Sequence, residues 1–506
     1  MQSNGEHRKI PDLKKLLADR SIILVSNRGP VEFEQDAAGN LETRRGGGGL
    51  VTAMTAISKE AKATWISAAM NDIERSLAHD DASVCLPDDS SSCLIKLVDI
   101  PEDIYNRYYN IISNPLLWFI HHYIWNLAYD PSISTGIHDA WHNGYVAANK
   151  LFAQAAVKES RKHRNPIIML QDYHLFVAAR YIRELSQEPF LFHFTHIPWP
   201  EPDYMRILPE SMRTELLEGM LSNDMVGFQS RHYADNFLLC CETLLQCHVD
   251  WKAKTVTLHG HVVHVQTYPI SIDHESLVEV GASDKVLEYE AKFMHDNEGL
   301  SLIVRTDRSD PSKNIVRGFR AFEVLLNKHP ELKEKVKFLA LLYPTRENIK
   351  AYNDYLDSII ATVNEINDRY KTDTWSPIHL RLEDNYLESI AALKCYDVLL
   401  VNPIYDGMNL VAKEGPVLNN KNGVLILSEN AGATSELGNT SLVVSPFDIE
   451  GTAAAIYDAL TMADYEKRAR ASTLREIVQR NNSVKWLYYQ IKDIIRLEKK
   501  KVLDGI

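Results

Sequence analysis

The sequence predicts an α/β protein made of two doubly wound parallel sheets in tandem, facing each other across a cleft. Three observations predict it. Short apolar runs end abruptly at polar turns and alternate with helix-like stretches, the pattern of a parallel sheet covered on both faces. The alternation pauses once, around residues 268–277, and then resumes. The 506 residues are also too many for one compact core, so two domains are expected.

The elements follow in order. Residues 1–19 are polar and read as an arm. SIILVS (21–26) reads as a buried strand, stopped by Asn27-Arg28-Gly29-Pro30. PIIML (166–170) and FLFHFTHI (190–197) are two more such runs, ending at Gln171-Asp172 and at Pro198-Trp199-Pro200. The stretches 144–163 and 174–188 read as helices between them. Pro269 lies in the polar pause, and the first domain is read as 20–268. In the second, 269–480, SLIVRT (301–306), KVKFLALLY (335–343), YDVLLVNP (396–403) and GVLILSE (423–429) are strands. Residues 314–329 form a helix with Ile315, Phe319, Phe322 and Leu326 on one stripe. The tail 484–501 reads as an amphipathic helix, within a closing segment 481–506 that could cross back to the first domain.

Composition narrows the function. With Lys plus Arg at 55 and Asp plus Glu at 68, the net charge is −13, which excludes a general nucleic-acid or anionic-membrane surface. Disorder is excluded by 45% hydrophobic and 24% charged residues. The six cysteines form no C-x-x-C pair, so they read as free thiols in a reducing compartment. No signal-like or membrane-spanning apolar run is present, and a cytoplasmic location is expected.

The remaining Arg and Lys residues gain meaning from place. Open α/β sheets bind ligands at the carboxyl ends of their strands. Arg308 and Lys313, in Thr306-Asp307-Arg308-Ser309-Asp310-Pro311-Ser312-Lys313-Asn314, follow a strand and precede a helix. Alone, this is a solvated loop whose cations pair with Asp307 and Asp310. In a cleft, the two cations could grip a pyrophosphate and stabilise a departing nucleoside diphosphate. Asp406-Gly407-Met408-Asn409-Leu410 with Glu414 reads equally as a helix cap or as a nucleotide–sugar contact. The glycine run 46–49 is a weak phosphate-loop signal. Asp172, His174 and His196 sit at two strand ends of one sheet. Around Arg107-Tyr108-Tyr109 and Trp118, an aromatic cluster reads as core or as a sugar platform.

Taken in order, S-N-R, G-G-L, Y-N…S-N…L-W, D-Y-H-L, H-I-P, G-F-Q, D-R-x-D-x-S-K and D-G-M-N-L-V-A-K-E resemble the trehalose-6-phosphate synthase family. Its members are retaining glycosyltransferases of the two-domain GT-B fold. The resemblance runs from Ser26 to about Trp486. It implies that a nucleoside-diphosphate glucose (UDP-, GDP- or ADP-) and glucose 6-phosphate give trehalose 6-phosphate. Arg308 and Lys313 would hold the diphosphate, Glu414 the ribose, and Met408, Asn409, Leu410 and Val411 would line the donor site. Asp406 and His196 would meet the donor glucose, and Gly49 would lie near its phosphates. Arg28, Tyr109 and Arg346 would bind the acceptor phosphate, with Trp118 and Asp172 positioning its ring. D-x-D, the usual divalent-metal triplet of such transferases, is absent, so neither metal nor cofactor is expected. Without an enzymic nucleophile, retention implies front-face attack, the acceptor hydroxyl passing its proton to a phosphate oxygen.

The sequence departs from the family at Pro311, at Asn314 in place of Gly, at Trp199-Pro200-Glu201-Pro202, and at Tyr405 in place of Arg. These positions leave the donor nucleotide and the phosphorylated acceptor open. Glycerol 3-phosphate or a cyclitol could replace glucose 6-phosphate, and an idle sugar-phosphate sensor is the alternative of another class. A homo-oligomer is also left open.

Overall fold

The computed structural model describes residues 13–17, 20–36, 40–45, 63–79, 84–85 and 94–504. Its strands are β1 (Ser21–Val25), β2 (Val31–Gln35), β3 (Leu41–Arg45), β4 (Ala63–Ala68), β5 (Val84–Cys85), β6 (Leu94–Val98), β7 (Pro166–Gln171), β8 (Phe190–Thr195) and β9 (Met225–Phe228). Then come β10 (His248–Asp250), β11 (Thr255–Leu258), β12 (His261–Thr267), β13 (Ser301–Arg308), β14 (Val336–Tyr343), β15 (Ile378–Leu382), β16 (Val398–Val401), β17 (Val424–Ser428) and β18 (Leu442–Val444).

Two sheets carry the fold. One runs β10-β11-β12-β9-β8-β7-β1-β4-β6-β5, parallel except at its two ends, and the other runs β15-β14-β13-β16-β17-β18, parallel throughout. In each, the chain works outward from a central strand in one direction, then returns to add strands on the other side. Those switch points lie between β1 and β7 and between β13 and β16. Helices cannot cover the crevice there, because the two neighbouring connections leave on opposite faces.

The apolar runs form strands because both faces are covered: β7, β8 and β17 are buried at every residue. Helix Ile315–Lys328 buries the predicted stripe, with Phe319 and Phe322 edge-on to Phe338 at 5.1 and 5.5 Å.

Three expectations need adjusting. The stretch 144–163 is a wide-pitched segment Trp141–Val146 running into regular helix Ala147–Ser160. The stretch 174–188 is a tight turn Tyr173–Leu175 followed by helix Ala178–Leu185. Tyr145 and Asn149 donate to the carbonyls of Tyr173 and His174 at 2.6 and 3.0 Å, which removes those carbonyls from helical bonding. Within the polar arm, Leu13–Leu17 is a helical turn that buries Leu13 and Leu17.

The two sheets are joined by two adjacent crossings. The first is 268–273, after β12. The second leads into helix Ser483–Asp504, which packs on β8: Trp486 meets the Phe194 ring edge-on at 5.2 Å and donates to the Tyr268 carbonyl at 3.1 Å. Ser483 N–H donates to the Ile272 carbonyl at 3.0 Å, tying the crossings together.

Candidate active site

The carboxyl ends of the two sheets meet. Arg28 follows β1, Asp172 follows β7 and His196 follows β8; opposite them, Arg308 ends β13, Lys313 follows it, Arg346 follows β14 and Asp406 follows β16. Contact is direct. Tyr233, from helix Arg231–Leu244, donates its hydroxyl to the Asp406 carbonyl at 2.9 Å, and Tyr405 stacks on Tyr123 at 4.4 Å.

Arg28 and Arg346 converge from the two halves on the Tyr109 hydroxyl. Burial alone would raise that phenol's pKa, but the two guanidiniums outweigh burial and lower it. The Tyr109 ring is fixed by stacking on His174 at 5.8 Å and on Tyr105 at 5.5 Å. Arg346 also donates to the Tyr173 hydroxyl at 3.2 Å and to the Tyr352 hydroxyl, and lies 4.2 Å above the Trp118 ring. A pair of guanidiniums round a phenol could hold a tetrahedral oxyanion.

Asp310 organises this cluster. Fully enclosed, it accepts from Ser312 N–H at 2.9 Å and from Trp118 Nε1 at 3.3 Å, with Arg346 at 3.3 Å and Arg308 at 3.7 Å. Burial pushes its pKa up, but Arg308 and Arg346 overcome burial and hold it at about 2. The carboxylate thus fixes one cation from each predicted subsite.

Lys313 is salt-bridged to Asp406. Burial would lower the ammonium and raise the carboxyl; their mutual attraction reverses both directions. Asn409 donates to Asp406 at 3.1 Å and accepts from Ala412 N–H at 3.2 Å, capping helix Val411–Leu418. The cap reading and the site reading of this segment therefore coexist. Met408 is buried, its carbonyl taken by Ala433 N–H at 2.9 Å, while Leu410 accepts from Glu414 N–H at 2.8 Å. Glu414 lies in the first turn of that helix, partly exposed.

Three of the predicted residues already have partners within the chain. Lys313 pairs with Asp406, neither free nor bound to Asp307, whose own partner is Arg305 at 2.9 Å. The Trp118 ring is occupied by His122, stacked at 3.9 Å, as well as by Arg346, so it cradles a guanidinium. His196 has both ring nitrogens engaged, by Gln171 at 2.9 Å and Gln229 at 3.3 Å, and burial lowers its pKa to about 3, leaving it neutral. Its backbone N–H donates to Asp172 at 3.0 Å. Gly49 lies outside the described residues.

Backbone geometry marks the same place. Asp172, Arg346 and Asn409 have φ of 70°, 54° and 75°, a region non-glycine residues rarely enter and one that gathers at functional sites. Asn314, the substitute for Gly, is left-handed too, at φ 59° and ψ 37°, which Asn tolerates better than most residues. Pro311 opens the tight turn Pro311–Lys313, where its missing N–H has no cost.

The sequence reading missed Asp310, His122, Tyr173 and Tyr352 as site residues. Asp310 was visible in D-R-x-D, and Tyr173 in D-Y-H-L. His122 offered only proximity to Trp118, and Tyr352 gave no signal. Among the described residues, no group of three or more His, Cys, Asp or Glu side chains is placed to hold a metal ion.

Two doubly wound sheets, apposed at their switch points with paired cations between them, define a two-lobed nucleotide-sugar transferase of the GT-B class. The model of Glycosyltransferase family 20 matches residues 20–496. The chain belongs to that family. An α,α-trehalose-phosphate synthase [UDP-forming] of Schizosaccharomyces pombe is 32% identical over 496 residues, covering 96% of this chain and 93% of that one. The crystal structure of a UDP-forming enzyme from Burkholderia xenovorans in complex with glucose-6-phosphate is 27% identical, with a TM-score of 0.81 over 94% of this chain and 99% of that one. An E. coli structure bound with UDP-2-fluoro glucose is 27% identical, TM-score 0.80, over 94% and 98%.

Proposed function

We propose that this chain is a retaining glucosyltransferase that joins glucose from a nucleoside-diphosphate donor, UDP-glucose first, to glucose 6-phosphate, giving α,α-trehalose 6-phosphate. The observation that carries the reading is the pair of facing anion sites. Arg28, Tyr109 and Arg346 form one, and Arg308 with Lys313 the other, with Asp310 between them. Similarity to UDP-forming synthases supports the donor, and similarity to a glucose-6-phosphate complex supports the acceptor.

In this reading the acceptor phosphate rests on Arg28, Arg346 and Tyr109, with Asp172 beside its ring. The donor diphosphate rests on Arg308 and Lys313, its ribose on Glu414, and the backbone from Met408 to Val411 lines the nucleotide sugar. When donor enters, the Lys313 ammonium is shared between Asp406 and the diphosphate. Attack comes from the face the diphosphate leaves, and the acceptor hydroxyl gives its proton to a phosphate oxygen. Neutral His196 cannot act as an acid at neutral pH, so the protein's contribution is positioning and leaving-group charge stabilisation. The sparse cysteines, four of which are described as free thiols, suit a cytoplasmic location. Among the described residues, no helix is long and apolar enough to cross a membrane.

The test is a product assay. Purified protein receives UDP-, GDP- and ADP-glucose, each with glucose 6-phosphate, glycerol 3-phosphate or free glucose. The expected product is a 1,1-linked disaccharide phosphate, strongest with UDP-glucose; its absence with every donor overturns the reading. Arg308→Ala is expected to cut turnover by about a hundredfold or more, the scale of losing one preorganised charge contact.

A further inference from the structure

A cavity of about 360 Å³ lies where the two crossings run side by side. This volume falls within the roughly 300–1,000 Å³ of small-molecule sites. Its walls come from three parts of the chain: the end of β12 and the first crossing, Glu436 of helix Thr434–Leu437, and the turn and first three helical turns after residue 480.

Its chemistry is that of a neutral, hydroxyl-rich ligand. Aromatic walls are given by Trp486 and by Tyr489, which is 44% exposed. Gln266 and Asn481 add amides, and Asp493, which accepts from the Tyr268 hydroxyl at 2.9 Å, adds a carboxylate. The charges balance. Lys413 neutralises Glu436, while the Lys485 ammonium is held by the Arg480 carbonyl at 3.0 Å and Asn481 Oδ1 at 3.2 Å. Among the described residues none of those lining the cavity is an arginine, so a phosphate would meet two carboxylates and one occupied ammonium. Aromatic faces beside amides and carboxylates suit a sugar, which offers apolar C–H faces and many donors.

The cavity is wired to the donor side of the cleft. Lys413 is the neighbour of Glu414 on helix Val411–Leu418. Buried to 2% side-chain exposure, it pairs with Glu436 and donates to the Ile270 carbonyl at 2.7 Å, inside the first crossing. Glu436 in turn accepts from Asn481 at 2.8 Å, at the second crossing. Glu436 and both crossings therefore form the cavity wall and anchor the donor helix at once.

We infer that this hinge cavity binds an unphosphorylated sugar of mono- to disaccharide size, and that its occupancy alters donor affinity through Glu436, Lys413 and the two crossings. The binding claim stands apart from the transferase reading; the donor-affinity claim rests on it.

The binding experiment is a calorimetric titration of the full chain with α,α-trehalose and with glucose, using inorganic phosphate as the anionic counter-probe. Saturable binding of a neutral sugar is expected, with none of phosphate at this cavity. Tyr489→Ala, which removes an aromatic wall, and Gln266→Trp, which fills the space, are each expected to weaken sugar binding on the order of tenfold or more. Arg308→Ala should leave it unchanged. Circular dichroism and thermal unfolding verify that each variant is folded. Absence of sugar binding overturns the inference, as does binding lost in Arg308→Ala but kept in both hinge variants. For coupling, steady-state kinetics with added α,α-trehalose should change KM for the nucleotide sugar at least about twofold in wild type. No change should occur in Tyr489→Ala, and there should be no competition with glucose 6-phosphate. An unaltered donor KM with sugar bound overturns the coupling, and competition with glucose 6-phosphate overturns the site. A chain that transfers no glucose still allows the calorimetric result to stand or fall.

Discussion

Asp310 links both subsites with a single carboxylate, and its protonation state follows from its neighbours. Removing its charge leaves Arg308 and nearly enclosed Arg346 facing each other uncompensated. Breaking a buried pair in this way costs about 3–5 kcal/mol. Asp310→Asn should therefore lower the thermal midpoint, and inorganic phosphate should recover part of the loss by replacing the missing charge; an unshifted midpoint contradicts this account. Asp172 behaves oppositely. Burial raises its carboxyl from 3.8 to about 7, against the N–H groups of His196, Tyr173 and Ile197 that favour ionisation. Between those values the folded chain keeps a proton that the unfolded chain has released, so stability falls as pH rises through the window. Asp172→Asn should flatten that decline in denaturation midpoints measured from pH 4 to 7. A decline as steep as the wild type's would show that Asp172 is not its source.

At the level of elements, the meeting of the sheets depends on a missing side chain. A Cβ on Gly407 would lie 1.7 Å from the His196 carbonyl oxygen, backbone against backbone, so neither side can yield by rotating a side chain. Gly407→Ala should force the loop after β16 off the end of β8 and reduce turnover by at least about a hundredfold, the cost of ångström-scale misplacement. Far-ultraviolet circular dichroism should be little changed, since both sheets keep their pairing; loss of secondary structure would mean the contact is needed to fold. The elements also show what could be read in advance. Strands buried on both faces announced themselves as apolar runs, as β1, β7, β8, β13, β14, β16 and β17 did. β6 did not, because Lys96 interrupts LIKLV, and only the fold supplies Glu159 at 3.2 Å to neutralise it. β15, IHLRL, is an edge strand with polar residues facing water. In the site, residues within one motif were legible. The place of Asp310 between Arg308, Arg346 and Trp118 was not, because it is set by segments of both halves brought together only when the sheets meet.

Across the whole molecule, the closing helix Ser483–Asp504 decides whether the two sheets behave as one body. It leaves the second sheet beside the first crossing and lies on the first, with Arg20 bonded to Glu498 at 2.7 Å. Trp486, Leu487, Ile491, Ile494 and Ile495 are all buried, none exposed above 5%. At about 1.5–3 kcal/mol for each large apolar side chain, their burial contributes on the order of 10 kcal/mol. That is comparable to the entire stability of a typical domain, about 5–15 kcal/mol. Polar surface ion pairs elsewhere, at about 0–1 kcal/mol each, cannot compensate. Deleting residues 483–506 should therefore uncover Phe194 and Tyr268, separate the halves and abolish transfer. The second sheet keeps on its other face a core of Ile303, Leu400 and Ile426 packed with Phe319 and Phe322 that does not use the helix, and it should persist as a protease-resistant fragment. Limited proteolysis followed by mass spectrometry reads this directly. An intact, active truncated chain would mean that the cleft contacts alone hold the two sheets in register.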